Sequence, residues 1–435
     1  MNNPNYKVVL VTDLSQENFQ YIDKKCFRHY TSFFLPILTT VSLFLPANSI
    51  LMNFDLNEEH LMIRQAARDF AVTECLPGVI ERDEKMSFPK DQVLKLADLG
   101  FLGMMVNTKY GGSGLDTISY VLAMEEISKI DASTSVCMSV NNSLVCWGLE
   151  TFGSEEQKQK YVVPLAQGKK DNELYIGAFL LSEPEAGSDA TSQHTIAEDM
   201  GDHYLVNGTK NWITNGSSAS VYVVMAQTDR SKGSRGINAL IIEKNWPGVT
   251  VGPKENKLGI RGSDTHSIQF TDVKVPKENR IGNDGFGFKY AMLVLNGGRI
   301  GIAAQALGIA AGAYERSIQY ATQRRSFGKP IINHQAIQFK LADMATRIEA
   351  SRLLVYKAAL DKDTNKDYTI SSAMAKVFAS ETAMWTATEA VQIHGGYGYV
   401  KEYHVERMMR DAKITQIYEG TSEVQRIVIG RSLSQ

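Results

Sequence analysis

The stretch whose residue types are most suited to catalysis or binding lies near the C-terminus, where residues 418–423 are Tyr-Glu-Gly-Thr-Ser-Glu. A carboxylate stands beside a glycine that lets another molecule approach the backbone closely. A glutamate in a dry pocket gains pKa through desolvation, which suits it to take a proton from carbon. The Thr421 and Ser422 hydroxyls can cap the following helix or bind a ligand. Taken alone, the stretch is more typical of a surface turn.

Two other stretches combine polar groups with a turn or an indole. Residues 181–189, Leu-Ser-Glu-Pro-Glu-Ala-Gly-Ser-Asp, follow a short apolar run, and their backbone amides can donate to an electron-rich ring or a phosphate. Residues 212–216, Trp-Ile-Thr-Asn-Gly, can place an indole against a planar ring, with the Thr214 hydroxyl at its edge. An ordinary loop and a core tryptophan are the alternatives. The two stretches share one site if their strands are neighbours.

Two stretches in the C-terminal third offer contacts for anions. Residues 324–330, Arg-Arg-Ser-Phe-Gly-Lys-Pro, follow a predicted helix, so an arginine there can bind a pyrophosphate or can stabilise the helix C-terminus. Residues 392–396, Gln-Ile-His-Gly-Gly, close another helix, and their glycines suit both a helix cap and a ligand contact. His394 alone is more typical of a structural histidine.

Composition indicates an ordinary soluble protein. The 435 residues are enough for two or three domains, with 43% hydrophobic and 22% charged residues. A formal net charge of -2 gives no reason to expect a nucleic-acid partner. The four cysteines show no CxxC spacing and no nearby histidine pattern, which predicts reduced thiols, a cytoplasmic location and no metal.

The first fifty or so residues differ from the rest. Basic residues at 24, 25 and 28 precede an apolar run over 33–46 that prolines interrupt, and the run is short for a membrane span. We predict that residues 1–52 are a disordered extension or an upstream mis-start. A secretory signal is the less favoured alternative, because no clean cleavage site follows.

The remaining chain predicts an α+β multidomain protein. Residues 53–175 are mostly of helical pattern, and residues 176–284 carry short strand-like runs that suggest a small β-barrel or sandwich. An Asn-Gly pair at 207–208 predicts a hairpin turn between two strands. Residues 285–435 show apolar stripes typical of a four-helix bundle, with helices near 300–321, 337–348, 370–393 and from 422.

Five stretches occur here in an order that resembles the acyl-CoA dehydrogenase family. They are Leu-Leu-Ser-Glu-Pro-x-Ala-Gly-Ser-Asp, Trp-Ile-Thr-Asn-Gly, Arg-x-x-Phe-Gly, Gln-Ile-x-Gly-Gly-x-Gly-Tyr and Ile-Tyr-Glu-Gly-Thr-Ser-Glu. Each is weak alone, whereas their number and order are specific. The resemblance covers nearly everything from about Phe54 and is closest to the short-chain, butyryl-CoA type. It implies the three-domain fold of that family.

The resemblance also implies FAD and the residues that hold it. The isoalloxazine ring is assigned to Phe179, Leu181, Ser182, Gly187, Ser188, Trp212, Ile213 and Thr214. The pyrophosphate and adenosine end is assigned, partly from a neighbouring subunit, to Arg324, Gln335, Gln392, Ile393, His394, Gly395 and Gly396. Further contacts are assigned to Thr421, Ser422 and Glu423.

The same resemblance makes Glu419 the catalytic base and assigns the acyl-CoA contacts to Ser188, Asn296, Gly297, Gly298, Arg299 and Gly420. One subgroup of the family places its base just before the arginine of the first bundle helix. That position is Gly298 here, so the base does not lie there. Asn296 stands where the family has an aspartate, which leaves the CoA contact at that position open.

The chemistry agrees with these residue types. Oxidising an acyl-CoA to its trans-2-enoyl form needs a base for the α-proton and an acceptor for the β-hydride, which the cofactor supplies. Donors at the thioester oxygen stabilise the developing enolate, and the Glu419 N–H is one candidate, beside a flavin hydroxyl implied by the resemblance.

The resemblance further implies an electron-transfer flavoprotein as acceptor, a homotetramer built as a dimer of dimers, and a role in fatty-acid or amino-acid catabolism. Two alternatives remain at this point. Oxygen can reoxidise the flavin in an oxidase or monooxygenase, although Glu419 in its full motif argues against a monooxygenase. A non-catalytic binding protein on the same fold is expected to have lost the base or the flavin contacts, and neither is missing.

Overall fold

Two helical regions flank one sheet region in the computed structural model, which describes residues 55–433. Residues from Leu56 onward form one unit. The predicted extension over residues 1–52 lies outside the described residues, so that prediction is not tested. The helices before the sheet are α1 (Glu58–Phe70), α2 (Val79–Glu84), α3 (Lys90–Asp98), α4 (Thr117–Ser128), α5 (Ala132–Ser139), α6 (Trp147–Phe152), α7 (Glu155–Gln157) and α8 (Val163–Gln167).

Side-chain caps begin several of these helices. Asn57 accepts a hydrogen bond from the His60 N–H at 2.7 Å and starts α1, and Asp116 and Asp131 do the same for α4 and α5. A π-helical segment, Val140–Cys146, joins α5 to α6 without a break. All of α5 and all of α4 except Ile118 are buried, so these helices form the centre of this region.

The strands are β1 (Lys169–Lys170), β2 (Glu173–Leu174), β3 (Gly177–Leu180), β4 (Ile196–Asp199), β5 (His203–Thr214), β6 (Val221–Gln227), β7 (Ile237–Glu243), β8 (Val249–Lys254), β9 (Thr265–Pro276), β10 (Arg280–Ile281), β11 (Arg325–Ser326) and β12 (Lys329–Pro330). Eight of them form one sheet in the order β10-β7-β6-β4-β5-β9-β8, with β3 parallel to β6. Residues of β7 and β8, which lie near opposite ends of that order, share one apolar cluster, so the sheet curls around its own core.

The predicted hairpin turn at Asn207-Gly208 is wrong. Both residues lie inside the single long strand β5, where the register against β9 shifts between Val206 and Gly208. Asn207 exchanges two hydrogen bonds with Asp272 of β9, and a Cβ atom at Gly208 would overlap Thr195. Asn-Gly therefore marks a bulge here, which needs the same backbone freedom as a turn.

The C-terminal region contains α9 (Gly287–Gln323), α10 (Gln335–Asp363), α11 (Thr369–His394), α12 (Val405–Ile414) and α13 (Ser422–Ser432). The four predicted bundle helices correspond to α9, α10, α11 and α13. The prediction missed α12, whose many charged residues hide its apolar face, and a buried pair joins Arg407 to Asp411 within it at 2.8 Å. Within the described part of the chain, α9 alone has the length and apolarity of a membrane span, but 78% of that apolar window is buried in the protein, so this is weak evidence for a span.

Candidate active site

Glu419 lies in the loop between α12 and α13. Glu419 and Gly420 both have positive φ angles, 53° and 88°, and such a conformation costs a glutamate free energy. The Glu419 Oε2 atom is buried and has no hydrogen-bond partner within residues 55–433. It lies against α9, since a Cβ atom at Gly298 would overlap it. The glycine that excludes the alternative base position therefore also makes room for this carboxylate.

The environment of this carboxyl group favours its neutral form. Burial raises the pKa of Glu419 to about 8, while the positive charges of Lys376 and Arg299 oppose the rise. Its proton affinity is thus close to that of a good general base near neutral pH. Proton abstraction by Glu419 should become faster as the pH rises toward and through 8.

Contacts from three helices fix the Glu419 loop. The Lys376 ammonium on α11 donates to the Gly420 carbonyl at 2.7 Å. The Gln425 amide on α13 donates to the same carbonyl at 2.8 Å and to the Glu419 carbonyl at 3.2 Å. The Tyr418 hydroxyl hydrogen-bonds the Gln305 side chain on α9. In the described structure the Glu419 N–H has no acceptor, so it remains available as a donor.

The predicted acyl-CoA contacts on α9 lie beside this loop. Arg299 is buried and donates to the Asn296 side chain at 2.7 Å. Asn296 in turn donates to the Thr369 hydroxyl at 2.9 Å and links α9 to α11. The amide at position 296 therefore orients Arg299, and Arg299 keeps a buried Nε atom without a partner among residues 55–433.

The two stretches predicted to hold a planar ring are neighbours. The Asn211 N–H donates to the Ser182 carbonyl at 2.9 Å. The fully buried Lys210 ammonium donates to the Leu181 carbonyl at 3.0 Å and to Glu183 at 2.8 Å. Phe179, Ser182 and Thr214 are half-buried around this junction, and Ile213 is in the core. The structure thus brings the loop after β3 and the end of β5 together.

Trp212 presents its indole to the outside of the protein. Its φ angle is 63° and 60% of its surface is exposed. A left-handed conformation is unusual for a bulky residue and is expected where a strand re-aims a side chain at a bulge, as at the register shift between Lys210 and Ile213. Gly187 and Ser188 are also exposed, and a Cβ atom at Gly187 would meet nothing within 4 Å.

The residues predicted for the pyrophosphate and adenosine end form a separate group. Arg324 lies 25 residues after Arg299, which along a helix is about 37 Å. The Arg324 guanidinium lies 5.5 Å from the Tyr397 ring, and the His394 ring stacks on Tyr320 at 4.3 Å. Gln335, Gln392, Gly395 and Gly396 are exposed, while Ile393 and His394 are buried. One chain therefore does not bring this group to Glu419.

His394 has a structural role in this arrangement. Its Nδ1 atom hydrogen-bonds the Ala390 carbonyl at 2.7 Å, and burial lowers the pKa of its ring. The neutral ring packs between Tyr320 and Tyr403. By contrast, Cβ atoms at Gly395 and Gly396 would meet nothing within 4 Å, so the backbone there is open to a ligand.

These features fit a large cofactor with a planar ring and phosphates. The exposed indole and the loop amides after β3 suit the ring, while Arg324 and the open Gly395–Gly396 backbone suit the phosphates. Thr421 caps α13 through the Val424 N–H at 3.3 Å, Ser422 is buried with an unpartnered hydroxyl among the residues described, and Glu423 is exposed. No group of three or more histidine, cysteine, aspartate or glutamate side chains in residues 55–433 is arranged to hold a metal.

Sequence reasoning missed the buried lysines that hold the site. Lys210 and Lys376 are both fully buried, and each donates to a carbonyl of a functional loop. A detectable signal existed for Lys376, which interrupts the small-residue stripe of Ala373, Ser380 and Ala383 on α11. A lysine on a buried helix face must find an acceptor, because an unpaired buried charge is costly.

Three family models together match most of the chain. They are the N-terminal domain of acyl-CoA dehydrogenase over residues 57–169, the middle domain over 178–273 and the C-terminal domain over 285–434. The exact domain boundaries that we predict remain predictions.

Individual proteins match over nearly their full length. The short-chain specific acyl-CoA dehydrogenase of Megasphaera elsdenii is 50% identical over 386 residues, covering 88% of this chain and 100% of that protein. The human mitochondrial short-chain specific enzyme is 50% identical over 386 residues, covering 89% and 92%.

Solved structures agree with these matches. Butyryl-CoA dehydrogenase from Megasphaera elsdenii superposes with a TM-score of 0.86 at 50% identity, covering 88% of this chain and 100% of that one. A chain from a study of the electron transferring flavoprotein of Acidaminococcus fermentans gives the same TM-score of 0.86 at 50% identity, covering 88% and 99%.

Proposed function

This chain belongs to the acyl-CoA dehydrogenase family, and we propose that its flavin is FAD, bound without a covalent link. The exposed Trp212 indole supports the ring site, and the Arg324 guanidinium with the open backbone at Gly395 and Gly396 supports the phosphate site. When bound, FAD supplies the acceptor for the hydride that leaves the substrate β-carbon.

The activity is the oxidation of short-chain acyl-CoA to its 2-enoyl-CoA. We assign the α-proton abstraction to Glu419. The observation that carries this assignment is the buried Oε2 atom, which has no partner among the described residues and sits on a loop that three helices hold in place. A carboxylate that accepts no hydrogen bond is more basic than one that does.

The residues around Glu419 can assist this step. The Glu419 N–H, which has no acceptor within the described structure, can donate to the thioester oxygen as negative charge develops there. Arg299 and Lys376 place two positive charges near the Glu419 carboxylate and so stabilise its anionic form before it accepts the proton. The Asn296 amide orients Arg299, which supports a role for both in the CoA half of the site.

We propose a homotetramer arranged as a dimer of dimers. Supporting this, about 37 Å along α9 separates Arg299, which lies near Glu419, from Arg324, so we infer that the Glu419 and the Arg324 of one site come from different chains. Phe327, 94% exposed beside Arg324, offers an apolar contact for a second copy. Light scattering on the flavin-loaded protein should give four times the 48.2 kDa chain mass. An active, flavin-loaded monomer would contradict the proposal.

We further propose that electrons pass to an electron-transfer flavoprotein. This proposal is supported by the similarity of the chain to a protein chain solved in a structural study of such a flavoprotein.

A cytoplasmic location remains a prediction from the cysteine pattern alone. Cys75, Cys137 and Cys146 are free and buried in the described structure, and burial raises the pKa of their thiols.

The test is an anaerobic titration with acyl-CoA of increasing chain length. The protein should be yellow and should release FAD into the supernatant on acid denaturation. Butyryl-CoA should bleach the flavin faster than palmitoyl-CoA, because the chain is 50% identical to short-chain specific acyl-CoA dehydrogenases. Faster bleaching by palmitoyl-CoA would overturn the chain-length assignment. Steady hydrogen peroxide production from butyryl-CoA in air would instead favour an oxidase.

A further inference from the structure

Lys376 is a buried cation without an anionic partner in direct contact. Its side chain is 0% exposed in the middle of α11, and none of the ion pairs among residues 55–433 includes it. Its ammonium donates to the Gly420 carbonyl at 2.7 Å. Because burying an ammonium group without an anionic partner is unfavourable, stability alone does not explain a lysine at this position.

The Gly420 carbonyl is the point where the Glu419 loop is anchored. Glu419 and Gly420 are consecutive residues with positive φ, so the loop does not follow a low-energy path by itself. Lys376 and Gln425 hold the same carbonyl from α11 and α13. A change at Lys376 therefore acts on the residue that directly follows the carboxylate.

Building on the proposed function, we propose that Lys376 is the positioning residue of the catalytic base. Its ammonium holds the Gly420 carbonyl, so that the Glu419 side chain points at the Gly298 face of α9, and its positive charge partly offsets the burial that favours the neutral carboxyl group. The first effect is geometric and the second is electrostatic, and neutral or cationic substitutes for the lysine separate them.

Other charged and titratable groups face Glu419 from the surrounding elements. Arg299 on α9 adds a second positive charge, but its side chain holds Asn296 and not the loop. Tyr120 on α4 and Tyr418 on the loop stay neutral, since burial raises the pKa of both hydroxyls. Glu423 on α13 is exposed and lies close enough to influence Lys376. Lys376 is therefore the one cation among these groups that is bonded to the loop.

The test compares three substitutions at this position. Lys376→Arg keeps charge and donors, Lys376→Gln keeps a neutral donor, and Lys376→Met keeps only apolar bulk. Lys413→Met is the control, because Lys413 is exposed on the neighbouring α12 and its ammonium donates to the Gln416 side chain at 2.9 Å, away from the Glu419 loop carbonyls that Lys376 and Gln425 hold. Each variant is examined as the flavin-loaded protein for FAD content, melting temperature and flavin reduction by butyryl-CoA across pH.

The protonation of Glu419 is followed separately, without substrate. Infrared difference spectra report the carboxylic acid C=O stretch, which the Glu419→Gln variant identifies by its absence. This readout does not depend on turnover. A wild-type protein that butyryl-CoA fails to bleach would refute the proposed function, whereas the infrared titration would still report on Lys376.

We expect the Lys376→Gln variant to retain FAD, and its Glu419 to titrate at a higher pH than in wild type. Its flavin should be reduced about tenfold more slowly at pH 7, because one pKa unit corresponds to a tenfold change in the ionised fraction. Lys376→Arg should restore the wild-type titration, and Lys376→Met should be slower than Lys376→Gln at every pH.

A purely structural role predicts lower melting temperature and FAD content in all three variants with an unchanged Glu419 titration, and that result would overturn the proposal. If Lys376→Met fails to fold, the comparison of Lys376→Gln with Lys376→Arg still decides. Equal titrations in those two variants would refute the electrostatic effect.

Discussion

Replacing Glu419 by glutamine should slow flavin reduction by butyryl-CoA by about two to four orders of magnitude, the range expected when a general base is removed. Glutamine preserves the size of the side chain and the contact with Gly298 but cannot accept the α-proton. FAD content and butyryl-CoA binding should stay near wild type. Stopped-flow measurements under anaerobic conditions give the rate, and equilibrium titration gives the binding.

The pH profile adds a second expectation for the same variant. Because burial raises the pKa of Glu419 to about 8, the wild-type reduction rate should rise as the pH increases through that value. The rising limb should be missing in Glu419→Gln. Glu402→Gln, which removes an exposed carboxylate between α11 and α12, should keep both the wild-type reduction rate and its rise with pH.

A reduction rate for flavin-loaded Glu419→Gln within about tenfold of wild type would remove Glu419 as the base. Loss of flavin with near-normal reduction in the remaining loaded molecules would point instead to a structural role. Either outcome leaves the family membership untouched, since that rests on the match of whole domains.

Local residue patterns predicted the elements that depend on local physics. The apolar stripes of α9, α10 and α11 follow from periodicity within a few residues. The prediction missed α12, whose charged residues include the buried pair Arg407 and Asp411. Burial of a charge is decided by distant elements, which a short stretch of sequence does not reveal.

The candidate site likewise combines features that nearby residues predict with features that depend on distant elements. The motif residues identified Glu419, and the structure confirms that the loop after β3 meets the end of β5. Asn207-Gly208 looked like a turn because turns and bulges require the same backbone freedom, and only the partner strand β9 distinguishes them. Lys376 is 43 residues before Glu419 in sequence, so its bond to Gly420 depends entirely on how α11 packs.

Among the substitutions proposed, replacing Lys210 by methionine should produce the largest decrease in the free energy of unfolding and in the amount of bound flavin. Lys210 and Glu183 are 0% and 4% exposed and lie 2.8 Å apart. Burial lowers the pKa of Lys210 to about 8, with the Glu183 charge opposing it. Although burial tends to raise the pKa of Glu183, the lysine charge and the N–H groups of His194 and Thr195 bring it below its usual value. The pair is therefore charged at neutral pH.

Methionine fills the volume of Lys210 but leaves the Glu183 carboxylate buried without its cation. Breaking a buried pair from one side typically costs about 3–5 kcal/mol. The Leu181 carbonyl also loses its donor, so the loop over residues 181–189 should hold the flavin less well. We expect a lower denaturation midpoint and a lower ratio of flavin to protein absorbance.

Two further variants test this account of Lys210. In Lys232→Met, an exposed pair with Asp229 is removed, and the change should stay within about 1 kcal/mol. In the double variant Lys210→Met with Glu183→Gln, the uncompensated charge is gone while one oxygen still accepts a backbone N–H, so part of the stability and of the flavin should return. If Lys210→Met matches Lys232→Met in both measurements, the buried pair does not hold the flavin-binding loop.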